Sequence, residues 1–483
     1  MPAILLVFCL MTTAGGLTAQ QVPGTQQVPG TQQVPGTQAD IQTQAVEVAE
    51  LRLRFDHLRV EHGLSQGTIN CILQDAKGYL WVGTDDGLNR FDGYQFVVFR
   101  PDPKHPHPLV SNVITALAED RNGNIWIGTG GAGFQRFRPS TREFTTPAVV
   151  RSNRGALATS VITALQVDRR QRVWIGTERD GLHVYDPADW SLKAVDLTGD
   201  GKRHMISDIT STRSGKILVA AHRAGLFLLE EDGLASRRLA LPFRTPSKAI
   251  ANGSPAGNGP VVLQVLVEAD RYIWIATEEG IMARHDVRTG AWSEIRLASV
   301  LPGGFGGATA TMAMDGEERI WLGSHSSGII LLDTRRRTLH AVARNPLDPE
   351  ALPGNSIRCI YHDRMGNMWI GTNGMGLGLH SPASKEFNLI APGTHGTGQL
   401  PVHSFRAIWQ GRDSILWLGG YGGFCRIDRR SSRVLCTTNP AVGTAGRSGF
   451  FASPASSVFS VLPDPEAPED ALLVGTEGSG LYR

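Results

Sequence analysis

The sequence lacks an excess of charge of either sign. It has 47 lysine and arginine residues against 45 aspartate and glutamate residues, which gives a formal net charge of +2. Proteins that bind nucleic acid or adhere to anionic lipid usually carry a marked basic excess. The near balance therefore gives no reason to expect nucleic acid as a partner.

The motifs of common catalytic and metal centres are missing as well. The chain has no C-x-x-C, no H-E-x-x-H and no G-x-S-x-G, patterns that mark zinc or redox sites, metalloproteases and serine hydrolases. The glycine-rich turn at 128–134 lacks the lysine and the following helix of a phosphate-binding loop. Asp85 and Asp86 are adjacent on a strand, so they point apart rather than across a cleft as a glycosidase requires. We expect no cofactor, no metal and no catalytic residue, and predict that this chain is not an enzyme.

The N-terminus has the features of an export signal followed by a tether. Ile4 to Met11 is an apolar run too short to anchor in a bilayer, and Leu17-Thr18-Ala19 resembles a small-residue cleavage site. We predict a signal peptide at 1–19. Residues 20–38 repeat QQVPGT three times, a composition that cannot form a core, so 20–50 is predicted to be a low-complexity linker. No later segment is apolar enough to span a membrane.

One pattern recurs through the remaining chain. Clear copies are TINCILQDAKGYLWVGTDDGLNRFDG (68–93) and VITALAEDRNGNIWIGTGGAGFQRFRP (113–139). The spacing between successive copies is 44–56 residues, which is typical of a four-stranded propeller blade. The anchor positions are Trp81, Trp126, Trp174, Leu218, Trp274, Trp321, Trp369, Trp417 and Leu473.

Each copy predicts the same strand order. An alternating strand leads into an Asp-x-x-Gly turn, such as 75–78, because aspartate binds its own downstream backbone and glycine supplies a positive φ. The second strand is the WIGT run, in which we expect the tryptophan to pack on the neighbouring unit and the glycine to leave room for that approach. A single unit cannot bury both faces, so units must stack. A closed ring is favoured over a linear solenoid, and the fold class is predicted to be an all-β propeller.

These residues closely resemble the two-component regulator propeller repeat, over about 51–483. The resemblance implies the extracytoplasmic sensor region of a hybrid histidine kinase or a related receptor. Family members commonly carry two seven-bladed propellers, a β-sandwich module, a membrane helix and a cytoplasmic kinase or other output module. The present sequence departs from that plan because it ends at Arg483 without a membrane helix or a kinase motif, which suggests a fragment.

Nine motifs fit one ring poorly, since propellers typically have four to eight blades. We predict a seven-bladed propeller at 51–390 and two further blades of a truncated second propeller at 391–483. The alternative is that Leu51 to Leu58 pairs with the incomplete ninth unit and closes a ring of nine.

The cysteines predict one disulfide. Cys425 and Cys436 flank a hairpin, and if Asp428 pairs with Arg433 they lie directly opposite each other, within disulfide range. Two buried thiols are the alternative. Cys71 and Cys359 occupy a motif position held by alanine in other units, so they are interpreted as small packing residues.

The residues just after each GT motif vary, and in a propeller they share one face with the loops between blades. Variable tips on a constant frame are typical of a ligand-binding surface. Any one of these residues alone is more plausibly a solvated turn residue, so only their common face supports the group. Asp208 and Gln264, at the alanine or cysteine position of the first strand, either point to the channel or satisfy a local backbone group, and we favour the second. The candidate ligand residues are Arg179, Glu278, His325, Asn373 and Tyr421.

Three functions remain open at this point. The first is a periplasmic ligand-sensing region that binds a small polar ligand, such as an oligosaccharide, and signals to a downstream kinase or other output domain in a phosphorelay. The second is a propeller lyase or glycoside-active enzyme, and the third is an exported interaction scaffold. The first is favoured by the repeat, and a homodimer is compatible with it.

Overall fold

The computed structural model describes most of the chain after residue 52. The predicted signal peptide and most of the predicted linker lie outside the described residues. The described ranges are 42–43, 47–48, 53–151, 157–230, 236–241, 261–297, 309–382, 404–410, 415–421, 423–428, 433–437, 457–465, 467–477 and 480–483.

Within these ranges the chain is an all-β propeller of four-stranded antiparallel blades, as predicted. Three short strands come first: β1 (Gln42–Thr43), β2 (Glu47–Val48) and β3 (Asp56–Leu58). Blade 1 contains β4 (Ile69–Gln74), β5 (Leu80–Thr84), β6 (Gly87–Phe91) and β7 (Phe96–Phe99); blade 2 contains β8 (Ile114–Glu119), β9 (Ile125–Thr129), β10 (Phe134–Arg138) and β11 (Glu143–Thr145). Blade 3 contains β12 (Ile162–Val167), β13 (Val173–Thr177), β14 (Leu182–Asp186) and β15 (Ser191–Val195); blade 4 contains β16 (Ile206–Ser211), β17 (Ile217–Ala221), β18 (Gly225–Leu229) and β19 (Ser236–Leu239).

Three more blades follow. Blade 5 contains β20 (Val262–Glu268), β21 (Tyr272–Thr277), β22 (Ile281–Asp286) and β23 (Trp292–Arg296); blade 6 contains β24 (Thr309–Met314), β25 (Arg319–Ser324), β26 (Ile329–Asp333) and β27 (Thr338–Val342); blade 7 contains β28 (Ile357–His362), β29 (Met368–Thr372) and β30 (Leu377–His380). Helical turns include Val60–His62, a 3-10 helix, and α1 (Ala148–Arg151). No helix in the described part of the chain is long and apolar enough to cross a bilayer.

The first seven blades form a closed ring. The innermost strand of each blade contacts that of the next, and β28 of blade 7 contacts β4 of blade 1, so the linear solenoid is ruled out. Blade 7 receives its fourth strand from the N-terminus, because β3 pairs antiparallel with β30 and places Asp56 opposite Leu379. The alternative of a nine-membered ring closed by Leu51 to Leu58 is therefore wrong: this segment pairs with the seventh unit and not with the ninth.

The chain reaches blade 7 along the outside of the ring. β1 adds in parallel to the outer strand of blade 5, and β2 adds in parallel to the outer strand of blade 6. Both strands fall within the segment predicted to be linker. We name the three strands β1, β2 and β3 the strap, because they pair with three successive blades.

The tryptophan of the repeat joins its own turn to the neighbouring blade. In blade 1, Trp81 is fully buried and packs on Phe137 of blade 2, with ring centroids 5.4 Å apart. Its indole N–H donates to Oδ2 of Asp75, in the Asp-x-x-Gly turn, over 2.8 Å. The other oxygen of Asp75 accepts the backbone N–H groups of Lys77 and Tyr79. One carboxylate thus fixes both the turn and the buried indole.

The glycine of WIGT allows the blades to approach, as predicted. A Cβ atom on Gly128 would lie 2.6 Å from Cγ2 of Ile162, which begins the innermost strand of the next blade. Gly371 has the same relationship to Ile69, at 2.8 Å, where blade 7 meets blade 1. Any larger residue would push the two blades apart.

Two further sheets follow the ring. Sheet 8 contains β31 (Phe405–Gln410), β32 (Ile415–Gly420), β33 (Gly423–Asp428) and β34 (Arg433–Thr437), and sheet 9 contains β35 (Val458–Asp464), β36 (Ala467–Thr476) and β37 (Gly480–Tyr482). In sheet 8, Asp428 pairs with Arg433 and Cys425 faces Cys436, which is the predicted register. Cys425 is disulfide-bonded, whereas Cys71 and Cys359 are free. The identity of the partner of Cys425 stays a prediction.

Candidate functional site

The innermost strand of every ring blade contains a bulge at the same place. In blade 1, Ile69 pairs with Thr84 and Cys71 with Gly83, so Asn70 has no partner across the sheet. A bulge of this kind redirects a side chain and leaves backbone groups outside the ladder. The extra residues are Asn70, Thr115, Thr163, Ser207, Leu263, Ala310 and Arg358.

In the first three blades the bulge residue donates to the following blade. The acceptor is in each case the carbonyl of the residue that starts the next innermost strand. The bonds are Asn70 Nδ2 to Ile114 O (3.0 Å), Thr115 Oγ1 to Ile162 O (2.6 Å) and Thr163 Oγ1 to Ile206 O (2.6 Å).

In the next three blades the residue after the bulge accepts instead. It receives a backbone N–H from the following blade, and the pairs are Asp208 with Val265 (2.9 Å), Gln264 with Met312, and Thr311 with Ile360 (3.3 Å). The Sγ atom of Cys359 lies 3.8 Å from the carbonyl oxygen of Ile69 between blades 7 and 1. Asp208 and Gln264 thus satisfy backbone groups of a neighbouring blade. Every ring interface has one such polar contact.

Asp208 is the only carboxylate in this set. It accepts the N–H groups of Val265 and Ile209, each at 2.9 Å. Burial nevertheless dominates and raises the pKa of Asp208 to about 6, because desolvation of the charged form outweighs the two hydrogen bonds.

The residues that follow each GT motif, which we call the rim, have a backbone contact in common. Their backbone N–H groups donate to the carbonyl of the residue just before the innermost strand of the same blade. This contact is present for Gly130, Glu178, His222, Glu278 and Asn373. It holds each of these residues next to the start of the innermost strand, so unlike side chains lie at the same end of five blades. His325 occupies the same sequence position in blade 6 and is exposed.

Charges on the rim interact between blades 4 and 5. The pKa of His222 is lowered by burial and by Arg223, while Glu278 and Glu279 of the next blade oppose that shift. Arg179 is 87% exposed, and its Nε lies 3.6 Å from Oε1 of Glu178. This part of the rim offers both donors and acceptors to solvent.

The carboxylates of Asp85 and Asp86 have different partners. Asp85 accepts Nδ2 of Asn70 at 2.8 Å, and Asp86 pairs with Arg100 at 2.8 Å. They do not form a facing acid pair. Among the described residues, no group of three or more His, Cys, Asp or Glu side chains could hold a metal ion.

The structure places four of the five candidate residues on the ring. Glu278, His325 and Asn373 are rim residues, and Arg179 follows one. Tyr421 occupies the matching position of sheet 8 and not of the ring; its N–H donates to Ser404 O over 3.2 Å. Its hydroxyl accepts a hydrogen bond from Arg406, whose guanidinium carbon lies 4.7 Å from the Tyr421 ring centroid.

Sequence reasoning omitted His222 and Asn70 from the candidates. His222 occupies the same position of the repeat as Glu278, so its place in the sequence could have identified it as a candidate. Asn70 could not be found in this way, because the bulge that turns it towards Asp85 and blade 2 has no signature in a single copy of the repeat.

Comparison with known proteins agrees with this geometry. The family model for the two-component regulator propeller matches residues 63–86, 108–131, 156–179 and 351–374. The chain carries two-component regulator propeller repeats. The predicted resemblance is confirmed, and each matched segment ends one position beyond a rim residue.

Similar proteins include a histidine kinase and the extracellular domain of a two-component system. The chain is 55% identical to the histidine kinase P4 of Formosa agariphila over 42 residues, which are 9% of this chain and 3% of that protein. The extracellular domain of a hybrid two-component system from B. thetaiotaomicron has a TM-score of 0.63 and 20% identity, covering 89% of this chain and 53% of that one. The propeller chain therefore spans about half the length of this solved structure.

A streptogramin B lyase also shares the fold. Its TM-score is 0.51 at 13% identity, covering 68% of this chain and 97% of the lyase. A likeness at this level concerns the blade architecture alone.

Proposed function

We propose that this chain is the ligand-sensing, extracytoplasmic propeller region of a two-component receptor. The observation that carries the proposal is the rim: variable tips, most of them polar, at the same end of the ring blades, four of which match the two-component regulator propeller model. Rigid scaffolds that hold variable tips are suited to recognition rather than to a fixed chemistry. The chain itself is proposed to have no catalytic role.

The ligand is proposed to be small and polar, and an oligosaccharide fits best. The rim carries acceptors on Glu278 and Asn373, a donor on Asn373 and the ring nitrogens of His325. Arg179, next to the rim, supplies further donors and contacts Glu178, so donors and acceptors lie side by side there. Hydroxyl groups, which donate and accept, match such a surface.

The proposal includes the rest of the receptor. Residues 1–19 direct export to the periplasm, and 51–390 form the first propeller. Sheets 8 and 9, in 391–483, begin a second one. A downstream histidine kinase or other output domain receives the signal, and pairing of two receptors would place two such domains together.

Binding of oligosaccharides to the mature chain tests the proposal directly. Isothermal titration against a panel of neutral and acidic oligosaccharides should reveal a binder, and Asn373→Ala or Glu278→Gln should weaken it about tenfold. Asn122→Ala is the matched control, because Asn122 is an exposed residue in the turn at the other end of blade 2. Affinity that is equal in wild type and both rim variants would remove the rim from the binding site.

A further inference from the structure

The ring closes through a short segment that joins the last blade to the first. We call residues 54–62 the clasp. β3 supplies the outer strand of blade 7, the 3-10 turn Val60–His62 follows at once, and the chain then enters blade 1. The clasp thus adds a strand-paired connection between blades 7 and 1 to the contact between β28 and β4.

One end of the clasp is anchored by packing. Phe55 is buried, its N–H donates to Glu350 O over 2.8 Å, and its ring lies 5.7 Å from that of His380. His380 contributes Nδ1 to a 2.9 Å hydrogen bond with the carbonyl of Arg54. Protonation of His380 leaves that donor in place.

The middle of the clasp depends on a neutral imidazole. Nε2 of His57 lies 2.7 Å from the carbonyl oxygen of Ala351, and Nδ1 lies 3.0 Å from Nη2 of Arg59. A carbonyl can only accept and a guanidinium can only donate. Both bonds exist only when His57 carries one proton, on Nε2, and leaves Nδ1 free to accept.

The other end of the clasp also requires a neutral imidazole, that of His62. Nδ1 of His62 accepts the backbone N–H of Arg59 over 3.0 Å. Arg59 thus donates to two imidazoles, one through its side chain and one through its backbone. A proton on either Nδ1 replaces an acceptor with a donor that faces another donor.

We propose that the clasp is an acid-sensitive closure, which protonation of His57 and His62 releases so that the ring loosens between blades 7 and 1. The charged groups around the two imidazoles are Arg59, Arg54, Glu61 and Glu350. Arg54 and Glu350 pair with each other at 3.5 Å, and Glu61 is 3.9 Å from Arg59 with 62% of its side chain exposed. No carboxylate contacts either imidazole in the described structure, so nothing there stabilises the added charge next to Arg59. This inference is independent of the proposed ligand.

Hydrogen–deuterium exchange of the full chain tests the closure. Protection of Asp56–Leu58 and of its partner strand β30 is compared at about pH 7.5 and about pH 5, after correction for intrinsic exchange, since imidazoles titrate between these values. We expect protection to fall roughly tenfold at the lower pH. β11 of blade 2, an outer strand of the same length, serves as the internal reference and should not change.

The double variant H57Q/H62Q removes the titration but keeps an acceptor and a donor at each position. Its clasp should show the same protection at both pH values, whereas His105→Gln, in an exposed loop, should keep the wild-type response. Equal loss of protection in the clasp and in β11, or no loss in the wild type, would overturn the proposal. If the double variant does not fold, the wild-type protein still tests the proposal, through the change in protection of the clasp compared with that of β11.

Discussion

The indole nitrogen of Trp81 donates to the carboxylate of Asp75, six residues earlier, over 2.8 Å inside the blade. The same pair recurs as Trp126 with Asp120, Trp174 with Asp168, Trp321 with Asp315 and Trp369 with Asp363, and Glu268 replaces aspartate beside Trp274. The spacing of six places the turn acid directly under the second strand. The Asp-x-x-Gly turn and the tryptophan of the repeat are therefore parts of one hydrogen-bonded unit.

Asp75→Ala should destabilise blade 1 strongly. It leaves the buried indole N–H and two turn N–H groups without their acceptor, a loss of about 2–4 kcal/mol in the free energy of unfolding. Urea unfolding monitored by tryptophan fluorescence measures this value. Asp92→Ala is the control, because Asp92 caps an exposed turn through Tyr94 and Gln95 and its loss should be much smaller. Similar losses in both variants would argue against the Trp–Asp unit.

Gly128→Ala should force blades 2 and 3 apart. The added Cβ meets Cγ2 of Ile162 at 2.6 Å and Cβ of Ala116 at 3.1 Å, so we expect about 1–3 kcal/mol of destabilisation. Gly316→Ala provides the comparison, since a Cβ there meets nothing within 4 Å. Thermal unfolding of the two variants should differ clearly, and equal melting temperatures would contradict the close packing.

Asp208 should make the free energy of unfolding fall as the pH rises. An ion-paired aspartate, whose pKa is lowered, has the opposite effect. The pKa of Asp208 is raised to about 6 in the folded chain, above the value of about 3.9 for an unfolded aspartate. The folded state binds more protons between these values, so stability falls as the pH rises from about 4 to about 6, by about 2 kcal/mol. Asp208→Asn keeps an acceptor for the N–H of Val265 and should remove this component, which unfolding curves across the pH range will show.

A disulfide between Cys425 and Cys436 predicts two titratable thiols in the mature chain, those of Cys71 and Cys359. Thiol counting under denaturing, non-reducing conditions should give two, and a count of four would exclude the bond. In the native protein both thiols should react slowly with alkylating agents. Burial raises the pKa of Cys359 to about 12 and also raises that of Cys71, so little thiolate is available.

Local sequence signals predicted the blade well. The turn aspartate, the buried tryptophan and the close-approach glycine act over a few residues, and counting across the turn from Asp428 to Arg433 also predicted the register of the hairpin in sheet 8. Contacts between segments that are far apart in the sequence could not be predicted from such local signals. The sequence of 42–58 does not indicate that its strands pair with blades 5, 6 and 7, because many different sequences can form an edge strand.

The rim was predictable in place but not in detail. The position after each GT motif predicted that Glu278, His325 and Asn373 share one face, and Glu278 and Asn373 make the same backbone contact in their blades. Placing Tyr421 with them required knowing which sheets close the ring, and that depends on where β3 pairs. The polar contact at each interface, such as Asp208 with Val265, arises from a bulge whose geometry exists only once two blades meet.

The strap also has a consequence for the order of assembly. Its strands pair with blades encoded near the far end of the ring, so they have no partner while the chain is being made or exported. Blades 1 to 4 can form as local hairpins, but closure must wait for the seventh repeat. Until then β3 has no partner strand, and during this interval a chaperone or a neighbouring chain can capture the unfinished protein.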